Sequence, residues 1–151
     1  MSETNTYQKA YDQAIKYLSI RMRSVGELQE KLQQKKYPPK IIFQVLRELE
    51  DLDFLDDLRY AQIFVENLKI YKSFGYYGIK TKLMQRKIPS EIIVQVLEEF
   101  FTEDQELAVA KRFLLKLQRQ GRKKYLQIAR SFASKGFRTD VTREILKDLP
   151  K

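Results

Sequence analysis

"KKYPPKIIFQVL", Lys35 to Leu46, is answered 51 residues later by "RKIPSEIIVQVL", Arg86 to Leu97. Lys36 matches Lys87, Pro38 matches Pro89, Ile41-Ile42 match Ile92-Ile93, and Gln44-Val45-Leu46 match Gln95-Val96-Leu97. So many identities at one offset mark an internal repeat. A period near 50 residues belongs to stacked supersecondary units.

The repeated block reads as two helices. Ser24 and Glu27 form a capping-box pattern, in which a hydroxyl and a carboxylate each satisfy an orphan backbone N–H. Val25, Leu28 and Leu32 then make an apolar stripe. Pro38 disfavours helical geometry in the residue before it, so this helix ends near Lys36. Pro39 or Lys40 opens the next helix, with Ile41, Ile42, Val45, Leu46 and Leu49 as its buried positions. In the second copy Ile79 and Leu83 replace Leu28 and Leu32, and Ile92, Ile93, Val96, Leu97 and Phe100 make the second stripe. A third copy follows at a spacing of 49, with Ile128 and Phe132, then Val141, Ile145 and Leu146. Its turn uses Gly136, suited to a helix C′ position.

A further helix precedes each pair. Its apolar positions are Ala10, Tyr11, Ala14, Ile15 and Leu18 in the first copy. In the second they are Leu58, Ala61, Phe64, Val65 and Leu68, capped by Asp56 or Asp57. In the third they are Leu107, Ala110, Leu114 and Leu117, capped by Thr102. The expectation is an all-α protein of three tandem three-helix repeats, 1–53, 54–101 and 102–151, forming one elongated, curved solenoid.

The chain has 151 residues, 43% hydrophobic and 32% charged, in the globular range. It has no Cys and no His, which excludes disulfides, zinc fingers, cysteine nucleophiles and histidine acid–base chemistry. Neither a phosphate-cradling loop nor a nucleophile with a base is present. Asp56-Asp57 stand where a helix starts, so capping explains them better than a metal pair does. These features predict no enzymatic activity, no metal and no cofactor. The polar start and the lack of a long apolar run predict a cytoplasmic protein without a membrane partner.

Lys and Arg number 29 against 20 acids, a formal charge of +9. Such a balance favours polyanions. The charges are also segregated. From Lys111 to Arg138 there are ten bases and no acid, and from Asn67 to Ser90 there are six bases and no acid. By contrast, Glu48, Glu50, Asp51, Asp53, Asp56 and Asp57 crowd together. A solvated helix face interleaves signs, so one-sign blocks point to a surface that grips phosphates or carboxylates. "IYKSFGYYGIKTK" mixes Tyr71, Phe74, Tyr76 and Tyr77 with lysines. It reads either as a stacking and phosphate-gripping segment, with Gly75 and Gly78 admitting a phosphate, or as a helix–helix turn whose aromatics cap the core. The candidate nucleic-acid or filament-binding residues are Lys72, Tyr76, Lys80, Lys82, Arg86, Lys87, Lys111, Arg112, Arg119, Arg122, Lys123, Lys124 and Arg130.

Three motifs in order carry a family resemblance: R-x-R-S-x-x-E-L at Arg21 to Leu28, L-D-D-x-R-Y-A at Leu55 to Ala61, and K-G-F at Lys135 to Phe137. From about Ala10 to Leu149 the chain resembles RecX, a family of bacterial regulators of the RecA recombinase. It departs from the family's Gly-Phe or Gly-Ile turns at Lys36-Tyr37 and Lys87-Ile88. The resemblance implies a non-enzymatic monomer that lies in the groove of the RecA–DNA filament. There it would lower the filament's ATPase, strand-exchange and coprotease activities. Implied partners are RecA and its DNA filament, and the charge blocks by themselves predict weak binding of naked single- and double-stranded DNA without sequence preference. The alternative is a stand-alone basic nucleic-acid-binding protein. Against a helix-turn-helix regulator stand the proline-containing connections, which differ from the short glycine turn of that motif.

Overall fold

The computed structural model describes residues 2–151. Among the described residues there are helices and no strands. The helices are α1 (Glu3–Ile20), α2 (Val25–Gln34), α3 (Pro39–Asp51), α4 (Asp57–Tyr71), α5 (Tyr76–Gln85), α6 (Ser90–Phe100), α7 (Glu103–Arg119), α8 (Tyr125–Ser134) and α9 (Thr139–Leu146). They fall into three triplets at the repeat period. The paired stripe residues Leu28 and Leu32, Ile79 and Leu83, and Ile128 and Phe132 are all fully buried.

Packing divides the chain into two compact units. One is the chain up to Tyr60 with Gln85–Pro89, and the other is Ala61–Met84 with Ser90–Lys151. In the first unit α1 and α2 pack on α3. The core joins Ala10 and Ala14 of α1 to Leu28 and Leu32 of α2, the five stripe residues of α3, and Leu55. The local signals act as the sequence says. The Glu27 N–H donates to Ser24 Oγ at 3.0 Å, and the Ser24 N–H donates back to Glu27 Oε1 at 3.0 Å. Pro39 sits in the first turn of α3, where its missing N–H costs nothing. Asp56 caps α4 by accepting the Arg59 N–H at 3.0 Å. Asp57 plays a different role and accepts the Val25 N–H at the start of α2, at 2.9 Å.

In the second unit α7 packs on α8 and α9 around three rings. Phe113, Phe132 and Phe137 have centroid separations of 5.0, 5.6 and 4.9 Å. Thr102 and Gln105 form a second capping box at the start of α7. The buried stripe of α7 is Glu106, Val109, Ala110, Phe113 and Leu117, and Leu107 and Leu114 are only half-buried. The stripe is rotated from the expected one because its first member is a carboxylate, which hydropathy alone does not count as core. Just past the end of α6, Phe101, four residues beyond Leu97, is buried in place of Phe100, and Ile92 on α6 is half-buried. Ile145 of α9 is likewise half-buried.

Residues at the C′ position of α2 and α8 close Schellman turns. Lys36 and Tyr37 donate to Gln33 and Leu32 at 2.8 and 3.3 Å, and Gly136 and Phe137 donate to Ala133 and Phe132 at 3.1 and 3.3 Å. The left-handed residues at the three repeat turns are Lys36 (φ 65°), Lys87 (φ 62°) and Gly136 (φ 77°). Lysine tolerates this strained backbone in the first two turns, and the third demands glycine for a steric reason. In the first unit Gly26 faces Lys87, and a Cβ on Gly26 would lie 2.6 Å from the Lys87 Cβ. There the facing residue gives up its side chain. In the second unit a Cβ on Gly136 would lie 2.2 Å from the Gly78 nitrogen, so both backbones must be bare. Gly75 and Tyr77 donate N–H bonds to Lys135 and Gly136 carbonyls across this contact, at 2.9 and 2.8 Å.

This predicts a graded response to alanine. At Gly121, left-handed at φ 82° with nothing within 4 Å of a Cβ, the cost is backbone strain alone, about 1 kcal/mol. At Gly136 the same strain adds to a backbone clash, for at least about 3 kcal/mol. Urea midpoints of the two variants check the order, and equal losses would refute the packing explanation.

Candidate nucleic-acid interface

α7 and α8 meet at an angle that leaves a cleft of about 210 Å³ between them. Phe113 and Leu117 form its floor, and Lys116, Gln120, Arg122, Ser131, Ser134 and Lys135 line it. No carboxylate lines this cleft. It is therefore a concave, polar, cationic surface, the chemistry that receives phosphate oxygens. The α8 residues that line it, Ser131, Ser134 and Lys135, come from the last turn and C-cap of that helix, so the cleft's positive charge comes from the Lys and Arg side chains and not from a helix N-terminus. Lys116 and Lys135 belong to the ten-base block read from the sequence but not to the candidate residues drawn from it, and Ser131 and Ser134 belong to neither. The i, i+3 spacing of Ser131 and Ser134 on a helix without acids was the available signal.

The other candidates divide by what they touch. Lys72, Lys111, Arg119, Arg122, Lys123, Lys124 and Arg130 are exposed and form no ion pair among the described residues. Lys80 is half-buried. The ammonium groups of Lys82 and Lys135 both stand over the Phe74 ring, 5.2 and 4.9 Å from its centroid. Arg112 acts structurally, since its Nη2 donates to the Lys69 and Lys72 carbonyls at 2.6 and 2.7 Å and ties α7 to the end of α4. Tyr76 is engaged too. It lies under the Arg138 guanidinium at 4.4 Å and edge-on to Tyr77 at 5.3 Å. Gly75 and Gly78 serve the contact with Lys135-Gly136, so the turn-and-core reading of this aromatic segment describes Tyr76 and both glycines. Tyr71 and Tyr77 remain exposed for stacking.

Arg86 and Lys87 belong to the first unit and are held there by carboxylates. Glu27 lies 2.9 Å from Arg21 Nη2 and 3.8 Å from Arg86 Nη1, and Lys87 lies 3.4 Å from Glu30. The Ser24 hydroxyl donates to the Arg86 carbonyl at 2.6 Å. Burial alone would push the Glu27 carboxyl up. The hydrogen bonds from Arg21 and the Ser24 N–H, with the Arg21 charge, outweigh it and hold the carboxyl below its ordinary value. Asp57 goes the other way: burial dominates and pushes it up, against the Val25 N–H that it accepts.

The most tightly bound charge in the second unit is Glu106, which is fully buried. Its Oε2 accepts the Tyr76 N–H at 2.8 Å and the Arg138 N–H at 3.0 Å, and its Oε1 accepts Arg138 Nε. Arg138 Nη2 is buried without a hydrogen-bond acceptor, a group for which the cation–π contact to Tyr76 is the compensation in view. Among the described residues no group of three or more His, Cys, Asp or Glu is placed to hold a metal ion. No helix among them is long and apolar enough to cross a membrane.

Helices recurring at a fixed period and a cationic cleft in the second unit define a helical-repeat protein. Comparison with known proteins makes this specific. The family models described as "RecX, first three-helix domain" and "RecX, second three-helix domain" match residues 10–49 and 56–97. The chain belongs to the RecX family of regulatory proteins. It is 32% identical to Regulatory protein RecX of Prosthecochloris aestuarii, covering 99% of this chain and 98% of that one. It is 28% identical to Regulatory protein RecX of Oceanobacillus iheyensis, but spans only 56% of that longer relative. The crystal structure of RecX from Lactobacillus salivarius superposes with a TM-score of 0.87 over 97% of both chains at 24% identity, a likeness of fold. A second solved structure, titled regulatory protein RecX, matches with a TM-score of 0.86 at 27% identity, over 96% of this chain and 74% of that one.

Proposed function

We propose that this chain is a non-enzymatic regulator of RecA. It binds the RecA–DNA filament as a monomer in the cytoplasm and lowers the filament's ATPase, strand-exchange and coprotease activities. The observation that carries the reading is the acid-free cleft between α7 and α8, in a member of a regulatory family. Arg122 lines it, and Lys111, Arg119, Lys123, Lys124 and Arg130, on α7, α8 and the run between them, are exposed and add to the positive charge of this part of the chain. Such a surface gives salt-dependent, sequence-tolerant affinity for the DNA that a recombinase filament encloses. RecA's ATPase on single-stranded DNA, titrated with this chain, tests the proposal. A stand-alone nucleic-acid-binding protein would bind the DNA and leave turnover unchanged until the DNA is saturated.

A further inference from the structure

The first repeat carries a groove that the cationic surface does not use. It runs between α2 and α3 with a volume of about 510 Å³. Val25, Ile42 and Leu46 form its apolar floor, Phe43 stands 63% exposed at its edge, and Glu50 and Asp51 close one end together with Arg47, two carboxylates against one guanidinium. Glu50 and Asp51 form no ion pair among the described residues, although the chain holds 29 basic side chains. Burial first, and then the charges of Asp57, Asp51 and Asp56, push the Glu50 carboxyl up. Crowded like charges disfavour the ionised surface, and a cation placed among them relieves that repulsion.

The same groove recurs in the third repeat, two repeat periods along the chain, with its chemistry changed. Tyr125, Ala129, Ala133, Arg143 and Leu146 line a smaller hollow of about 290 Å³, standing where Val25, Gln29, Gln33, Phe43 and Leu46 stand in the first. Lys151 falls at the position of Asp51. The hollow is thus common to the first and third repeats, whereas the exposed phenylalanine and the acidic end belong to the first.

We propose that the α2–α3 groove is a protein-docking site that takes a basic, amphipathic segment of a partner protein. The inference rests on the filament reading above, on which that partner is the recombinase protomer. The apolar floor and Phe43 receive the segment's apolar anchors, and Glu50 and Asp51 receive its Lys or Arg. Even with Arg47 the end is net negative, which disfavours nucleic acid as the occupant of this groove. A second copy is disfavoured as occupant because each copy carries +9 and repels the other. The repeats then divide the labour: a carboxylate-edged groove grips protein, and the α7–α8 cleft faces phosphates.

Glu50→Lys with Asp51→Lys, and separately Phe43→Ala, test this on exposed positions. Binding to RecA filaments on single-stranded DNA and to the same DNA without RecA is measured in parallel, with circular dichroism confirming the fold. The charge reversal replaces two negative charges with two positive ones, so the two ideas predict opposite signs. The docking groove predicts filament affinity about tenfold weaker or more, with affinity for naked DNA kept or increased. Phe43→Ala is expected to weaken filament binding alone. If both variants bind filaments as well as the parent or better, the groove is not the docking site. Self-association of the parent that both variants abolish would assign the groove to a second copy and overturn the proposal. A parent that binds no filament at all refutes the filament reading itself, and the inference falls with it.

Discussion

Replacing Glu106 by alanine is expected to destabilise the second unit by about 3–5 kcal/mol. The side chain is fully buried, and its two oxygens hold the Arg138 guanidinium and the N–H groups of Tyr76 and Arg138. Removing it leaves a half-buried guanidinium and two part-buried N–H donors without their acceptor, and each lost acceptor carries its own desolvation cost. These bonds also fix the start of α5 beside the α8–α9 turn, where Gly78 and Gly136 touch. The melting midpoint should fall by roughly 10 °C. Glu103→Ala, at an exposed position in the same first turn, should shift it little. If the Glu106 and Glu103 variants melt alike, the carboxylate does not hold this junction together.

Lys123→Glu with Lys124→Glu should have the largest effect on binding. Both side chains are exposed in the run that leads from Gly121 into α8. Folding survives the change, because an acid at the Lys124 cap position interacts favourably with the helix N-terminus. Each phosphate contact contributes about one unit to the slope of log affinity against log salt, so the slope should shrink by about two. DNA affinity and action on RecA filaments should both weaken about tenfold or more, with helicity unchanged. A double variant that restrains RecA like the parent at physiological salt would make this block a solvated face.

The sequence carried most of the fold because its signals were local and repeated. Ser24 with Glu27, Thr102, Pro39 and Gly136 each act within one helical turn, and the structure uses each as read. The pairs Leu28 and Leu32, Ile79 and Leu83, and Ile128 and Phe132 could be aligned by period alone. What stayed hidden depends on residues far apart in the chain. Glu106 reads as one more acid in a helix's first turn, because its partner Arg138 lies 32 residues away. Its phase, three and four residues before buried Val109 and Ala110, was the one clue. Arg112 has the composition of a phosphate ligand, yet its guanidinium is spent on the carbonyls that end α4. The basic block was legible as composition, whereas the cleft within it needs the approach of α8 to α7, which no periodicity encodes. Both glycines of the "FGYYG" segment are conspicuous for a reason that sequence leaves open: the Lys135-Gly136-Phe137 backbone occupies the space their side chains would fill.

Whether this chain restrains the RecA filament is read from ATP turnover. RecA is assembled on excess single-stranded DNA, and its ATPase rate is followed as the chain is added at physiological salt. The account predicts a progressive fall in rate at concentrations well below those that saturate the DNA, weakened by Lys123→Glu with Lys124→Glu. A rate that stays constant, or that falls only when the chain has covered the DNA and displaced RecA from it, would contradict the account and leave a nucleic-acid-binding protein in its place.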